Sequence, residues 1–180
     1  MTRETTTVRI TSPIGTLTIE GDDHAITHIE LPTPGSRRAG GPARPSSDRT
    51  ATTGSPMAPG PGESSGALGA AVAQLEQYFA GERTEFDLPL ELSGTEFQRE
   101  VWIALGDIPF GKTISYAELA EMVGRPRAFR AVGQANGSNP IPIVLPCHRV
   151  VASGGRIGGY GGGLPMKRRL LALEGVLFAG

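Results

Sequence analysis

The sequence predicts an α/β N-terminal domain, a small antiparallel sheet with one helix, followed by a mostly α C-terminal domain containing a helix-turn-helix. Three observations carry this reading. Apolar and polar residues alternate at Val8/Ile10, Leu17/Ile19 and Ile26/Ile29, with turn clusters between them. Leu68, Val72, Leu75, Tyr78 and Phe79 then recur at helical spacing. Finally, two capping-box patterns, Thr95 to Gln98 and Ser115 to Glu118, head short amphipathic stretches.

In order along the chain, VRIT, TLTIE and AITHIEL read as three strands of a meander. They are separated by Ser12-Pro13-Ile14-Gly15 and Gly21-Asp22-Asp23. Residues 32–66 hold 7 Pro, 7 Gly and 6 Ser, with Met57 the only large apolar side chain. Such a segment cannot bury enough surface to offset its ordering entropy and is expected to be a disordered linker or loop. A helix follows up to Gly81, then a short strand from Glu85 to Leu92. The predicted division is 1–92 and 93–180. In the second part, a helix passes through Trp102 and Leu105 and is ended by Pro109. A second helix starts at the Ser115 cap with Leu119 and Val123 inward, and Gly124 closes it. A third is expected from about Arg127 to Asn136, completing the helix-turn-helix. Asn139-Pro140-Ile141-Pro142 cannot be helical, since residues before proline leave the α region. Ile143-Val144-Leu145 reads as a buried strand entering Pro146-Cys147-His148-Arg149. After a glycine-rich loop around Tyr160, Leu164 to Glu174 is a last helix with Pro165 in its first turn and Gly175 past its end.

The 180 residues suffice for one ordinary domain or two small ones with a real core. A single Cys excludes an internal disulfide framework, and three His allow no zinc-finger spacing, so no metal site is expected. The N-terminus has no apolar signal-peptide core and no run approaches ~18 apolar residues, so the expected location is the cytoplasm, without membrane association. A net charge of −1 conceals an asymmetry: residues 1–92 carry 7 basic and 12 acidic side chains, residues 93–180 carry 10 and 6. The basic half is where a nucleic-acid partner would be sought. The helix-turn-helix places Arg127 and Arg130 in the first turns of its second helix. Ala131, Gly133, Ala135 and Gly137 follow, small enough to let the backbone approach a groove.

Cys147 is the sole thiol. A lone cysteine is ordinarily a small buried hydrophobe, but here Pro146 precedes it and His148-Arg149 follow, two basic groups that could hold a thiolate. On an extended strand His148 faces away from Cys147, so either the chain bends or a water relays the proton. The imidazole then needs an orienting carboxylate. Of the acids in this half, Glu96 and Glu118 serve as helix N-terminal acids. Glu174, at the wrong end of its helix for the dipole, is the candidate, against the alternative of a solvated helix end. Gly106 to Thr113 spells a P-loop, yet a helix rather than a strand precedes it, Pro109 removes an N–H, and the next cap is Ser115; nucleotide hydrolysis is rejected. The glycines at 154–163 suit a flat ligand lying against backbone.

These residues resemble the O6-alkylguanine-DNA alkyltransferases, the methylated-DNA–protein-cysteine methyltransferases, in the bacterial form without zinc. The similarity rests on Phe97-Gln98…Val101-Trp102, Ile108 to Tyr116, Arg130-Ala131-Val132-Gly133, Asn139-Pro140, Pro146-Cys147-His148-Arg149-Val150, Gly158…Tyr160…Gly162-Gly163-Leu164 and Leu170 to Gly175. The N-terminal half matches loosely, through Ser12 to Gly15 and Tyr78 to Gly81. Gly161 replaces a serine found in several relatives, and Gly137 a basic residue found in some.

The resemblance implies a ribonuclease-H-like N-terminal domain and a winged-helix-like C-terminal one. It implies stoichiometric transfer of a methyl or other alkyl group from O6-alkylguanine, with O4-alkylthymine a second lesion, to Cys147, with no cofactor. Cys147, His148, Glu174, Asn139 and Tyr116 would carry the chemistry. Tyr116, Val150, Tyr160, Gly161 and Lys167 would surround the base. Arg130, with Arg127, Ala131, Gly133, Ala135 and Ser115, would meet double-stranded DNA through its minor groove, Arg130 filling the gap left by the flipped nucleotide. A monomer is expected. Two alternatives stay open: a lesion sensor that binds without accepting the group, disfavoured by the presence of Cys147, and a thiol hydrolase, which would turn over.

Overall fold

The computed structural model describes residues 5–33 and 66–178. The body of the linker, residues 34–65, lies outside the described residues. Strands β1 (Thr6–Ser12), β2 (Gly15–Gly21) and β3 (Ile26–Glu30) form an antiparallel sheet in the order β1-β2-β3. Ser12 pairs with Gly15 across a two-residue turn, and the Ser12 hydroxyl donates to the Gly15 carbonyl at 2.7 Å. The Asp22 carboxylate takes the His24 and Ala25 N–H groups at 2.7 and 2.8 Å, closing the next turn. Leu17, Ile19, Ile26 and Ile29 point to one face of the sheet. Helix α1 (Ala67–Phe79) covers it with Leu68, Ala71, Leu75 and Tyr78, all buried. This is the alternation read from the sequence, with α1 at the predicted place.

The strand predicted at Glu85 to Leu92 does not form. Only Leu90 bridges Ile26, because Pro89 lacks the N–H that would extend the ladder. The Pro89 carbonyl still accepts from Ile26 N–H at 2.9 Å, so the segment seals the sheet edge without joining it.

In the second half, α2 (Glu96–Leu105) and α3 (Tyr116–Met122) both carry complete capping boxes, at Thr95/Gln98 and Ser115/Glu118. Helix α4 is Phe129–Gly137, starting two residues later than expected. The Ala128 N–H donates to the Arg125 carbonyl in a turn after Pro126, so Arg127 lies in that turn and not on the helix. Trp102 Nε1 donates to the Ala135 carbonyl at 2.8 Å, fixing α4 against α2.

Two further expectations fail around the cysteine. Ile143 to Leu145 is a tight turn instead of a strand, and Ile143 adopts φ 76°. Pro142 removes a ladder donor, while Asn139 clamps the loop: its Oδ1 accepts from Ile141 N–H at 3.0 Å and its Nδ2 donates to the Leu145 carbonyl at 2.7 Å. A β-branched residue at positive φ costs on the order of 1–3 kcal/mol, tolerated where surrounding contacts over-determine it; Ile143 is fully buried. Cys147–Arg149 is then one turn of 3₁₀-helix. Of the two options left by the sequence, the chain bends. It re-enters a short strand, β5 (Val150–Val151), parallel to β4 (Ile114–Ser115), and α5 (Leu164–Leu173) closes the domain.

Candidate active site

The 3₁₀ turn places Cys147 and His148 on different sides of a short bend. Cys147 is 6% exposed and forms part of the wall of a cleft of about 320 Å³. Tyr116, Gly133, Asn139, Pro142, Tyr160 and Gly161 are among the other lining residues. The cleft is flanked by the helix-turn-helix on one side and the glycine loop on the other. Gly133 belongs to its wall because a Cβ there would lie 3.6 Å from the Tyr116 ring.

Glu174, directly after α5, is the hub behind the thiol. His148 Nε2 lies 2.7 Å from its Oε1. Arg149 approaches both oxygens, Nε to Oε2 at 2.8 Å and Nη2 to Oε1 at 3.0 Å. The Tyr78 hydroxyl donates to Oε1 at 2.7 Å, and Gly111 N–H to Oε2 at 3.3 Å. Burial pushes the carboxyl up, but the hydrogen bonds from His148, Arg149 and Tyr78 overcome it and hold the group at about 2. The carboxylate chosen from its awkward helix position is therefore the fully paired one. The P-loop-like segment is a connector whose Gly111, at φ 72°, serves this carboxylate.

Burial lowers the affinity of His148 for a proton, partly restored by Glu174. Burial thus favours the neutral imidazole. With Nε2 committed to Glu174, Nδ1 is buried and has no hydrogen-bond partner among the described residues. Burial pushes the Cys147 thiol up, opposed by the Asn139 amide, the Lys167 charge and Tyr160. Burial therefore works against the thiolate that the basic neighbours suggested, and these three groups work for it. Arg149 is not one of its supports: the guanidinium turns away to Glu174 and to the Ile108 carbonyl at 2.5 Å. The nearby cation is Lys167, fully buried, donating to the carbonyls of Val150 and Gly159 at 2.6 and 3.0 Å. Its burial lowers it to about 8.

The remaining expected residues divide. Tyr116, Asn139, Tyr160 and Gly161 line the cleft with Cys147. The Tyr160 hydroxyl is buried without a hydrogen-bond partner among the described residues, and it is close enough to Cys147 for the two groups to influence each other's ionisation. Val150 is wholly buried and sits behind the cleft, serving it through its carbonyl. Arg130 is exposed in the first turn of α4, in an open depression shared with Tyr116, Phe129, Gly133 and Gln134 that adjoins the cleft. Arg127 and Ala131 are exposed nearby. Ala135 faces inward, 3% exposed, and cannot touch a partner with its side chain. The Ser115 hydroxyl is committed to Glu118 N–H as a helix cap.

Sequence reasoning missed Tyr78, Arg149 as a ligand of Glu174, Asn136 and Phe129. Asn136 lies on the cleft wall, buried, its Oδ1 without a partner among the described residues. Phe129 is 49% exposed beside Arg130. Only an exposed aromatic next to the groove-facing arginine was visible in advance; the others depend on long-range packing. Among the described residues no cluster of His, Cys, Asp and Glu fit for a metal ion occurs, and no helix is long and apolar enough to cross a membrane.

Comparison with known proteins covers both halves. Residues 6–92 match the family model for the 6-O-methylguanine DNA methyltransferase ribonuclease-like domain, and residues 96–176 that for the DNA binding domain of the same proteins. The N-terminal half thus matches more firmly than its two short motifs suggested. A methylated-DNA–protein-cysteine methyltransferase of Mycolicibacterium paratuberculosis is 48% identical over 92% of this chain and 89% of its own. That of Mycobacterium tuberculosis is 50% identical with the same coverage. The crystal structure of Mycobacterium tuberculosis OGT in complex with DNA superposes with a TM-score of 0.72 at 46% identity, covering 92% of this chain and 90% of that one. With the same fold, similarity through both halves and Cys147 set beside a base-sized cleft, the chain belongs to the methylated-DNA–protein-cysteine methyltransferase family.

Proposed function

We propose that this protein repairs DNA by moving the alkyl group of O6-alkylguanine onto Cys147, once per molecule. The observation that carries the reading is the arrangement around one sulfur. Cys147 faces a cleft wide enough for a nucleobase, and its neighbour His148 has Nε2 tied to Glu174 and Nδ1 unpaired. Nδ1 takes the thiol proton, through a water, and Glu174 stabilises the imidazolium that forms. Lys167 and Asn139 support the thiolate. The sulfur attacks the alkyl carbon, the S–C bond forms as the C–O6 bond breaks, and the electron pair leaves on the guanine. The departing guanine anion takes a proton from Tyr116, and the imidazolium gives up its proton through solvent to restore the tyrosine, so protons and charge balance without a cofactor. Because a thioether is a stable product, no step regenerates the thiol.

A base inside a duplex cannot reach the buried sulfur, so the nucleotide is flipped. In this reading Tyr160 and Gly161 frame the extruded base, and α4 lies in the minor groove of double-stranded DNA with Arg130 in the vacated stack. Arg127 and Ala131 flank that contact, Gly133 supplies clearance for the base, and Ser115 acts through the cap of α3. The protein works as a monomer in the cytoplasm.

Replacing Arg130 with alanine is expected to slow repair in duplex DNA by about 10- to 100-fold, the range for losing a few kcal/mol of flipped-state stabilisation. Reaction with free O6-benzylguanine should stay within about twofold. Equal losses on both substrates would remove Arg130 from the stack-filling role. The test pairs single-turnover rates on both substrates.

We also propose that residues 1–92 and 93–180 are the two domains, with 32–66 a linker that contributes nothing to the chemistry. Removal of residues 36–62 should leave the transfer rate and melting temperature essentially unchanged. A folded deletion variant with lost activity would refute the assignment.

A further inference from the structure

We propose that Tyr78, supplied by the N-terminal half, is a positioning residue for the acceptor cysteine: its hydroxyl holds Glu174 Oε1 and so governs how firmly that carboxylate grips His148. The consequence for repair rests on the alkyl-transfer reading above, while the positioning itself rests on geometry alone.

Oε1 receives three donors, Tyr78 Oη and His148 Nε2 at 2.7 Å each and Arg149 Nη2 at 3.0 Å. Oε2 receives two, Arg149 Nε at 2.8 Å and Gly111 N–H at 3.3 Å. A carboxylate oxygen has about two lone-pair directions, so the three donors on Oε1 compete for its charge. Tyr78 is the donor whose share is not tied to the acceptor turn. Its ring is fixed by edge contacts with Phe79 and Phe110, centroids 5.3 and 6.3 Å away, and a tilted contact with Phe86 at 5.4 Å. The side chain is fully buried. Burial and the adjacent carboxylate push its hydroxyl far above the ordinary tyrosine range, so it remains a donor at every pH the protein meets. Among the described residues it is the only side chain of the N-terminal half that hydrogen-bonds into this network.

The direction of the effect follows. Removing the hydroxyl returns charge on Oε1 to His148, which stabilises imidazolium and raises the pH at which the ring titrates. Glu174, Arg149 and Lys167 are the charged groups that act on His148, and Cys147 and Tyr160 the further titratable groups of the cleft. Tyr78→Phe replaces none of them and keeps the aromatic packing; of these groups, Glu174 is the one that loses a hydrogen bond.

The experiment uses the full chain, wild type and Tyr78→Phe, and follows three signals against pH. These are the His148 imidazole proton resonance, alkylation of Cys147 by iodoacetamide, and methyl transfer from an O6-methylguanine duplex. Tyr78→Phe should raise the imidazole midpoint, and with it the acid limbs of iodoacetamide alkylation and of methyl transfer, by about 0.5–1 pH unit, so that both rates fall about three- to tenfold at pH values below the wild-type midpoint, the scale of one hydrogen bond to a charged group. An unchanged midpoint would overturn the inference even if the rate or melting temperature fell, since packing alone would then explain the loss. If the midpoint moves but neither protein takes up methyl from DNA, the repair reading fails and the positioning role stands.

Discussion

Cys147→Ser is expected to abolish alkyl uptake while leaving the fold and lesion binding in place. Sulfur and oxygen differ little in size, and the pocket around position 147 already offers the Asn139 amide as a partner for a hydroxyl. Stability should therefore shift by no more than about 1 kcal/mol. Reactivity is another matter. Burial makes the thiol harder to ionise than an exposed one, but the Asn139 amide and the Lys167 charge offset it, and His148 can take its proton. A serine hydroxyl is a far weaker acid, beyond the reach of an imidazole whose own proton affinity burial has lowered. The rate should fall below detection, with affinity for O6-methylguanine duplex within about threefold of wild type by fluorescence anisotropy. Measurable transfer by the serine variant would place the acceptor elsewhere.

The second large effect is expected at Glu174. Glu174→Gln removes the charge that balances Arg149, which is itself buried, and leaves His148 without a stabiliser for its imidazolium. Breaking a buried ion pair from one side costs about 3–5 kcal/mol, a large part of the total stability of a domain. Loss of general-base assistance should lower transfer about 10²- to 10⁴-fold in the fraction that remains folded. The pH dependence follows from the same carboxylate. Its folded value, about 2, lies below the ordinary 4.5, so its contribution is complete above about pH 5 and is lost as pH falls toward 2. That contribution is on the order of 3 kcal/mol. Denaturant unfolding between pH 2 and 7 should therefore show a steeper loss for wild type than for Glu174→Gln. Parallel curves would mean that the Glu174 charge does not stabilise the fold.

The sheet, α1 and both capped helices were legible because they obey local rules: alternation, helical spacing, and Ser or Thr three residues before Glu or Gln. Sequence also pointed to Cys147, His148 and Glu174 before any geometry was available. It misread the approach to the cysteine. Ile143, Val144 and Leu145 have strand-like side chains, yet two prolines and the Asn139 clamp fold them into a turn, a case of tertiary hydrogen bonding overriding β propensity. Arg149 looked like a support for the thiolate because it is two residues away, but the 3₁₀ turn rotates it onto Glu174. Tyr78 had no local signal at all. It lies 96 residues from its partner, and its place in a helical apolar stripe reads as core, which its ring is.

The account stands on one claim, that the Cys147 sulfur takes an alkyl group from a guanine in DNA and keeps it. Intact-mass spectrometry after titration with a duplex bearing one O6-methylguanine tests it most directly. The predicted result is a mass gain of one methyl replacing one proton, located at Cys147, rising to one group per protein chain and stopping there as an equal amount of guanine is restored. An unmodified mass with the lesion intact, or lesion consumed in excess of protein, would contradict it.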